Sequence, residues 1–149
     1  MSTFRPVTLI TGASSGIGAE LARLFAAEGH EIVMVARSEA QLNTVADQIG
    51  AAGHTRPHVV AVDLSRMDGG ARLGHELAAR GLAPAYVVNN AGFGLVGPAA
   101  ELDRAEQLGM IDLNVRTLTD LSLRFVDSVS AHRGGILNVA SVAGFLPSA

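Results

Sequence analysis

No cysteine, lysine or tryptophan occurs in the 149 residues, and tyrosine occurs once. Without cysteine the chain has no disulfide, thiolate metal site or catalytic thiol, a composition that fits a reducing compartment and a cytoplasmic location. Without lysine, Schiff-base chemistry and any mechanism needing an ammonium group are closed to it, because all 11 basic residues are arginine. No apolar run approaches the ~20 residues that cross a bilayer, and no basic segment leads into a long apolar stretch at the N-terminus. A membrane partner is therefore not expected. The net charge of -3 and the dispersed arginines also argue against nucleic acid. His54 and His58 are separated by Pro57, so no single helix face displays both and no metal site is expected. Leu, Val, Ile and Phe still supply 43 residues, enough for a sizeable core.

Those apolar residues fall into short runs that alternate with helical patterns. Val7 to Ile10 reads as a buried strand, followed by a helix from Ile17 with Leu21, Leu24 and Phe25 on its inner face and Gly29 closing it. Ile32 to Val35 is a second strand, and Ser38 with Gln41 forms a capping box for a helix that turns Leu42, Val45, Ala46 and Ile49 inward. Val59 to Val62, a helix over about 70–80 with Leu73 and Leu77 inward, and Ala85 to Val88 continue the alternation. A long helix over about 103–131 then leads through Gly134-Gly135 into a fifth strand, Ile136 to Ala140. With no linker, repeat or low-complexity tract, residues 1–149 read as one domain of α/β class, a Rossmann-type doubly wound parallel sheet. Ligands in such sheets bind beyond the carboxyl ends of the strands, so Thr11, Arg37, Asp63, Asn89 and Ser141 are expected along one rim.

The segment Thr11-Gly12-Ala13-Ser14-Ser15-Gly16-Ile17-Gly18 joins the first strand to the first helix. Missing Cβ atoms there permit a tight turn and let a diphosphate reach backbone N–H groups at a helix N-terminus. The spacing G-x-x-x-G-x-G departs from G-x-G-x-x-G, and a glycine-rich turn with no ligand is the plainer alternative. No Gly-Lys-Ser/Thr follows, which excludes a phosphate loop of the NTPase type.

Taken in order, Thr11-Gly12-x-x-x-Gly16-Ile17-Gly18, Asp63, Asn89-Asn90-Ala91-Gly92, Asn114 and Ser141 resemble the short-chain dehydrogenase/reductase (SDR) family. The resemblance runs from Val7 to the C-terminus and implies a sheet order of 3-2-1-4-5. It implies that Gly12, Ser14, Ser15, Gly16, Ile17 and Gly18 wrap the cofactor diphosphate and adjacent ribose, and that Asp63 and Leu64 meet the adenine. Asn90, Ala91 and Gly92 would pass beside the adenosine ribose, although an asparagine amide here can also tie strands together. For Asn89 a strand-tying role and a ligand contact remain open. By the same resemblance Asn114 steadies a proton relay and Ser141 hydrogen-bonds the substrate carbonyl, with Phe93, Gly94 and Leu95 as one pocket wall. Family members that prefer NAD usually carry an acidic residue after the second strand. Here that position is Ala36, followed by Arg37, whose guanidinium can grip a 2′-phosphate, so NADP(H) is the expected cofactor.

The departure from the family concerns its catalytic Tyr-x-x-x-Lys, which would fall about a dozen residues past Ser141 and does not occur in the 149 residues. Tyr86, the one tyrosine, is expected in the core. The resemblance thus implies an NADP(H)-dependent oxidoreductase acting on a small carbonyl or alcohol, homodimeric or homotetrameric through the long helix, whose C-terminal part lies outside this chain. A dinucleotide-binding module without catalysis, or a naturally truncated homologue, is the alternative.

Overall fold

In the first two strands, alternate residues serve opposite faces of one sheet. Val7, Leu9, Val33 and Val35 pack on one side, and Ile10, Ile32 and Met34 on the other. Such strands are buried on both faces and are covered by helices on both, as in parallel sheets built from β-α-β units. The computed structural model, which describes residues 4–145, has this architecture. Strands β1 (Arg5–Thr11), β2 (Ile32–Ala36), β3 (His58–Ala61), β4 (Leu82–Asn89) and β5 (Gly135–Asn138) form one parallel sheet in the order β3-β2-β1-β4-β5. It is a Rossmann-type doubly wound sheet. Helices α1 (Gly16–Ala27) and α2 (Glu39–Ala51) cover one face, and α3 (Gly69–Ala79) with α5 (Leu118–Ala131) covers the other. The order reverses between β1 and β4, and the crevice at that switch point is where ligands of such sheets bind.

Local signals explain most boundaries. Ser38 caps α2 by accepting a hydrogen bond from Gln41 N at 3.3 Å. Leu73 and Leu77, one helical turn apart on α3, are fully buried, and each contributes roughly 1.5–3 kcal/mol by leaving water. Strand β4 begins at Leu82, earlier than the sequence pattern predicts. A register shift between Val7 and Thr8 accommodates Pro84, and Ser128 Oγ donates to the Pro84 carbonyl at 2.7 Å. Strand β5 ends at Asn138, two residues early, because its pairing ends opposite Asn89, where β4 also ends.

Two expectations are corrected and a third is refined. The buried residues of α1 are Gly18, Ala19, Ala22 and Ala26; Leu21 and Phe25 pack partly buried against the same layer, as expected, whereas Leu24 is 64% exposed. Large side chains from β1 and β2 already fill that layer, so the helix approaches through its small residues. Tyr86 is not a core residue: it is 37% exposed and clusters with Phe25 and His30, its ring 5.2 Å from that of His30. The long helix runs unbroken from Arg104 to Ala131, as expected, with a π-helical turn inside it. Asp103 caps α4 (Arg104–Ile111) by accepting from Glu106 N at 2.9 Å, and a π-helical turn, Asp112–Thr117, joins α4 to α5.

Candidate functional site

The turn after β1 is shaped by close approach. Gly12 has φ +64°, and a Cβ there would stand 2.9 Å from both Ala91 Cα and Asn90 Nδ2. A Cβ on Gly18 would overlap the Gly12 carbonyl oxygen and lie 2.5 Å from Asn90 Nδ2. Gly16 differs, because a Cβ there would meet nothing within 4 Å. The N-cap Ser15 makes no side-chain capping bond and the first turn of α1 carries no acidic residue. The first-turn N–H groups and the positive end of the helix dipole are therefore available to an anion. Ser15, Gly16 and Ile17 are exposed, Ser14 is half-buried, and Gly18 is buried.

The end of β4 is bracketed to this turn. Thr11 Oγ1 donates to the Val88 carbonyl at 3.2 Å and accepts from the N–H groups of Asn90 and Ala91, each at 3.0 Å. The Asn90 amide donates to the Thr11 carbonyl at 2.9 Å and the Gly12 carbonyl at 3.2 Å, so this side chain ties β4 to β1. What Asn90, Ala91 and Gly92 offer to the crevice is chiefly backbone. Asn89 is buried and structural in its contacts: Nδ2 donates to Asn138 Oδ1 at 2.9 Å and to Ser122 Oγ at 3.0 Å. Thr11 and Asn89 thus support the rim from beneath and do not line it. Nothing in the spacing of the sequence marks the bracket formed by Thr11.

On the other side of the crevice, Asp63 does not cap α3, whose N-cap is Asp68. Asp63 Oδ1 instead accepts from Ser65 Oγ at 2.6 Å and Ser65 N at 3.0 Å, closing a tight turn that the spacing Asp-x-Ser could have announced. Oδ2 has no partner among the described residues. The Ser65 hydroxyl bond holds the Asp63 carboxyl below its ordinary value of 3.8; desolvation opposes this, while Ser65 N–H, Arg37 and Arg66 reinforce it. A depressed pKa means that Asp63 adds stability above the unfolded-state value, and that this is lost as pH falls through the lower folded-state value. Asp63→Asn should therefore destabilise by a constant amount at neutral pH, with the difference from the parent shrinking below about pH 4. Urea melts from about pH 6 to about pH 3 test this, and a difference independent of pH would contradict it. Arg37, one residue past β2, is exposed and makes no hydrogen bond or ion pair among the described residues.

Asn114 lies in the π-turn. Its Oδ1 accepts from Phe93 N at 3.0 Å and its Nδ2 donates to the Phe93 carbonyl at 2.8 Å, clamping the segment after Gly92. A Cβ on Gly92 would stand 2.8 Å from that Oδ1, so the clamp needs glycine there. Ser141, exposed beyond β5, accepts from Ala143 N at 3.1 Å and opens a short 3-10 helix, Val142–Phe145. This contact uses an acceptor lone pair of its hydroxyl and leaves the O–H free to donate. Arg116 and Thr117, which sequence reasoning passed over, reach from the π-turn to the carbonyls of Ser65 and Leu64. A recess of about 550 Å³ along the outer edge of β3, lined by Val59, Val62, Arg72, His75 and Arg80 among others, contains none of these site residues.

The site so described is a glycine-rich turn with an uncapped helix N-terminus, an acceptor at Asp63, a guanidinium at Arg37 with no hydrogen bond or ion pair among the described residues, and a hydroxyl at Ser141, all beyond the carboxyl ends of parallel strands. Known proteins are similar to this chain in sequence and fold. The family model for short chain dehydrogenases matches residues 6–149. An uncharacterised oxidoreductase of Mycobacterium tuberculosis is 34% identical over 143 residues, covering 94% of this chain and 54% of the relative. A metagenomic short-chain oxidoreductase solved in complex with NADP superposes with a TM-score of 0.87 at 34% identity, covering 100% of this chain and 68% of that one. A short-chain dehydrogenase from Sphingobium yanoikuyae in complex with NADPH gives a TM-score of 0.80 at 32% identity, covering 96% of this chain and 56% of that one. The chain thus spans little more than half the length of the curated relative it matches. Matched along its length by the family model, and carrying the glycine-rich turn, the bracketed Asn-Asn-Ala-Gly segment and the 3-2-1-4-5 sheet, the chain belongs to the short-chain dehydrogenase family.

Proposed function

We propose that residues 1–149 supply the dinucleotide-binding domain of an NADP(H)-dependent oxidoreductase that moves a hydride between nicotinamide and a carbonyl or alcohol carbon. The observation that carries this reading is the pairing of an uncapped α1 N-terminus with an unpaired Arg37 on one rim, two independent anion sites of the kind a 2′-phosphorylated dinucleotide requires. The N–H groups around Gly12, Ser14, Ser15, Gly16, Ile17 and Gly18 take the diphosphate. Arg37 takes the 2′-phosphate, while Asp63 Oδ2 and Leu64 N–H meet the adenine edge. The backbone of Asn90, Ala91 and Gly92 lies beside the ribose. When bound, the cofactor supplies the hydride chemistry. Ser141 donates its hydroxyl hydrogen to the substrate carbonyl, and Asn114 acts by fixing the loop at Phe93. NADP and NADPH in the two solved relatives support the choice of cofactor.

The substrate is a small carbonyl or alcohol compound, and the protein works in the cytoplasm. Exposed Leu108, Ile111, Val115, Leu123 and Val126 give the α4–α5 segment an apolar outer face on which a homodimer or homotetramer is built. The assembly belongs to the intact longer protein, and a single-chain mass for that protein by light scattering would contradict it. A second reading is that the chain binds dinucleotide without catalysis. Both readings predict saturable quenching or enhancement of NADPH fluorescence when the chain is titrated, and no saturable change would contradict both.

A further inference from the structure

Short π-helical segments are rare and concentrate at functional sites. Here three of the six side chains of the turn Asp112–Thr117 leave it to bond the backbone of two separate loops. Asn114 clamps Phe93, as described above. On the opposite side Thr117 Oγ1 donates to the Leu64 carbonyl at 2.7 Å, and Arg116 Nη2 donates to the Ser65 carbonyl at 3.3 Å. Arg116 is itself steadied by Asp112, whose Oδ1 lies 2.8 Å from its Nε. Thr117 and Leu64 are each only 4% exposed, so this hydrogen bond is made out of contact with solvent.

Most polar groups of the 63–65 loop are thereby used. Ser65 N and Oγ bond Asp63 Oδ1, Arg66 N bonds the Asp63 carbonyl at 3.4 Å, and the next two carbonyls are held by the π-turn. Among the described residues three groups stay free, the acceptor Asp63 Oδ2 and the N–H donors of Asp63 and Leu64. One acceptor beside one donor is the complement of the adenine edge, which offers an exocyclic amine and a ring nitrogen. A loop whose three carbonyls are all held, with Asp63 Oδ2 and Leu64 N–H left open, is preorganised for that edge, and preorganisation is what the π-turn contributes.

We infer that Thr117 and Arg116 are positioning residues for adenine recognition, and that the π-turn is a strut holding the adenine loop at a set distance from the Asn114-clamped loop at Phe93. The inference rests on the proposed cofactor reading. The test uses the full chain and two probes, NADPH and its deamino analogue, in which a keto group replaces the adenine amine. The parent chain should bind NADPH more tightly than the analogue. Thr117→Val, which keeps shape but removes the donor, should weaken NADPH by about tenfold, the effect of one hydrogen bond to a buried acceptor. The analogue should change by less than about twofold, so that the preference for NADPH collapses. Thr117→Ser should restore it. Arg116→Ala, with a half-exposed side chain, should weaken NADPH about threefold and carries the test if Thr117→Val fails to fold. Unchanged NADPH affinity in the Thr117→Val and Arg116→Ala variants, or equal weakening of NADPH and the analogue, would overturn the inference while leaving the cofactor reading intact. A parent chain that binds neither probe would overturn both.

Discussion

Arg37→Ala is expected to lose NADPH affinity by about 10- to 100-fold, because charge-assisted hydrogen bonds to a phosphate contribute roughly 1.5–3 kcal/mol and each 1.4 kcal/mol is tenfold. NADH, which lacks the 2′-phosphate, should bind the variant and the parent within about twofold of each other. The selectivity is the substance of the prediction. Arg37 is exposed and unpaired among the described residues, so its removal breaks no internal contact there and exposes no core. A general destabilisation would weaken both nucleotides. Equal losses for NADPH and NADH in a calorimetric titration would therefore remove Arg37 from the phosphate site.

The second large effect concerns turnover. On the proposed reading Ser141 polarises the carbonyl, but no lysine is present in the 149 residues and the one tyrosine stands on β4 against Phe25 and His30. The 149-residue chain should bind NADPH yet oxidise it with aldehydes and ketones at no rate above background, since losing the general acid alone costs about 10²–10⁴-fold. A longer chain that carries Tyr-x-x-x-Lys downstream should turn over. In it Ser141→Ala should lower kcat by about 10²-fold with NADPH affinity nearly unchanged, the loss expected for one hydrogen-bond donor to the developing oxyanion. Steady-state NADPH oxidation against a panel of carbonyl compounds reads both. Robust turnover by the 149 residues would contradict the catalytic assignment, and an inactive longer protein with the pair intact would favour the binding module.

The sheet was legible because its strands are short apolar runs that stop at Thr11, Ala36 and Asn89, where burial ends and the chain turns. The helix caps at Ser38 and Asp103 announce themselves by residue type. What the pattern of apolar residues could not convey was which residues of α1 are buried. Periodicity places Leu24 inward with Leu21 and Phe25, whereas close packing on β1 buries Ala19, Ala22 and Ala26 and leaves Leu24 outside. The π-turn was hidden for a different reason. It is a change in backbone hydrogen bonding that leaves side-chain spacing almost unchanged, so 103–131 reads as one helix. Within the site, the glycine-rich turn and Asp63 could be picked out by type and place. The bonds of Asn114 to Phe93 and of Thr117 to Leu64 join residues 21 and 53 positions apart, and only the folded chain brings them together.

The central claim is that one rim of this sheet is built for a 2′-phosphorylated nicotinamide dinucleotide. Calorimetric titration of the unmodified chain with NADPH and, separately, with NADH tests it most directly. The account predicts saturable one-site binding of NADPH, at least about tenfold tighter than NADH, as a phosphate held by Arg37 requires. NADH binding as tightly as NADPH, or neither nucleotide binding saturably, would contradict it.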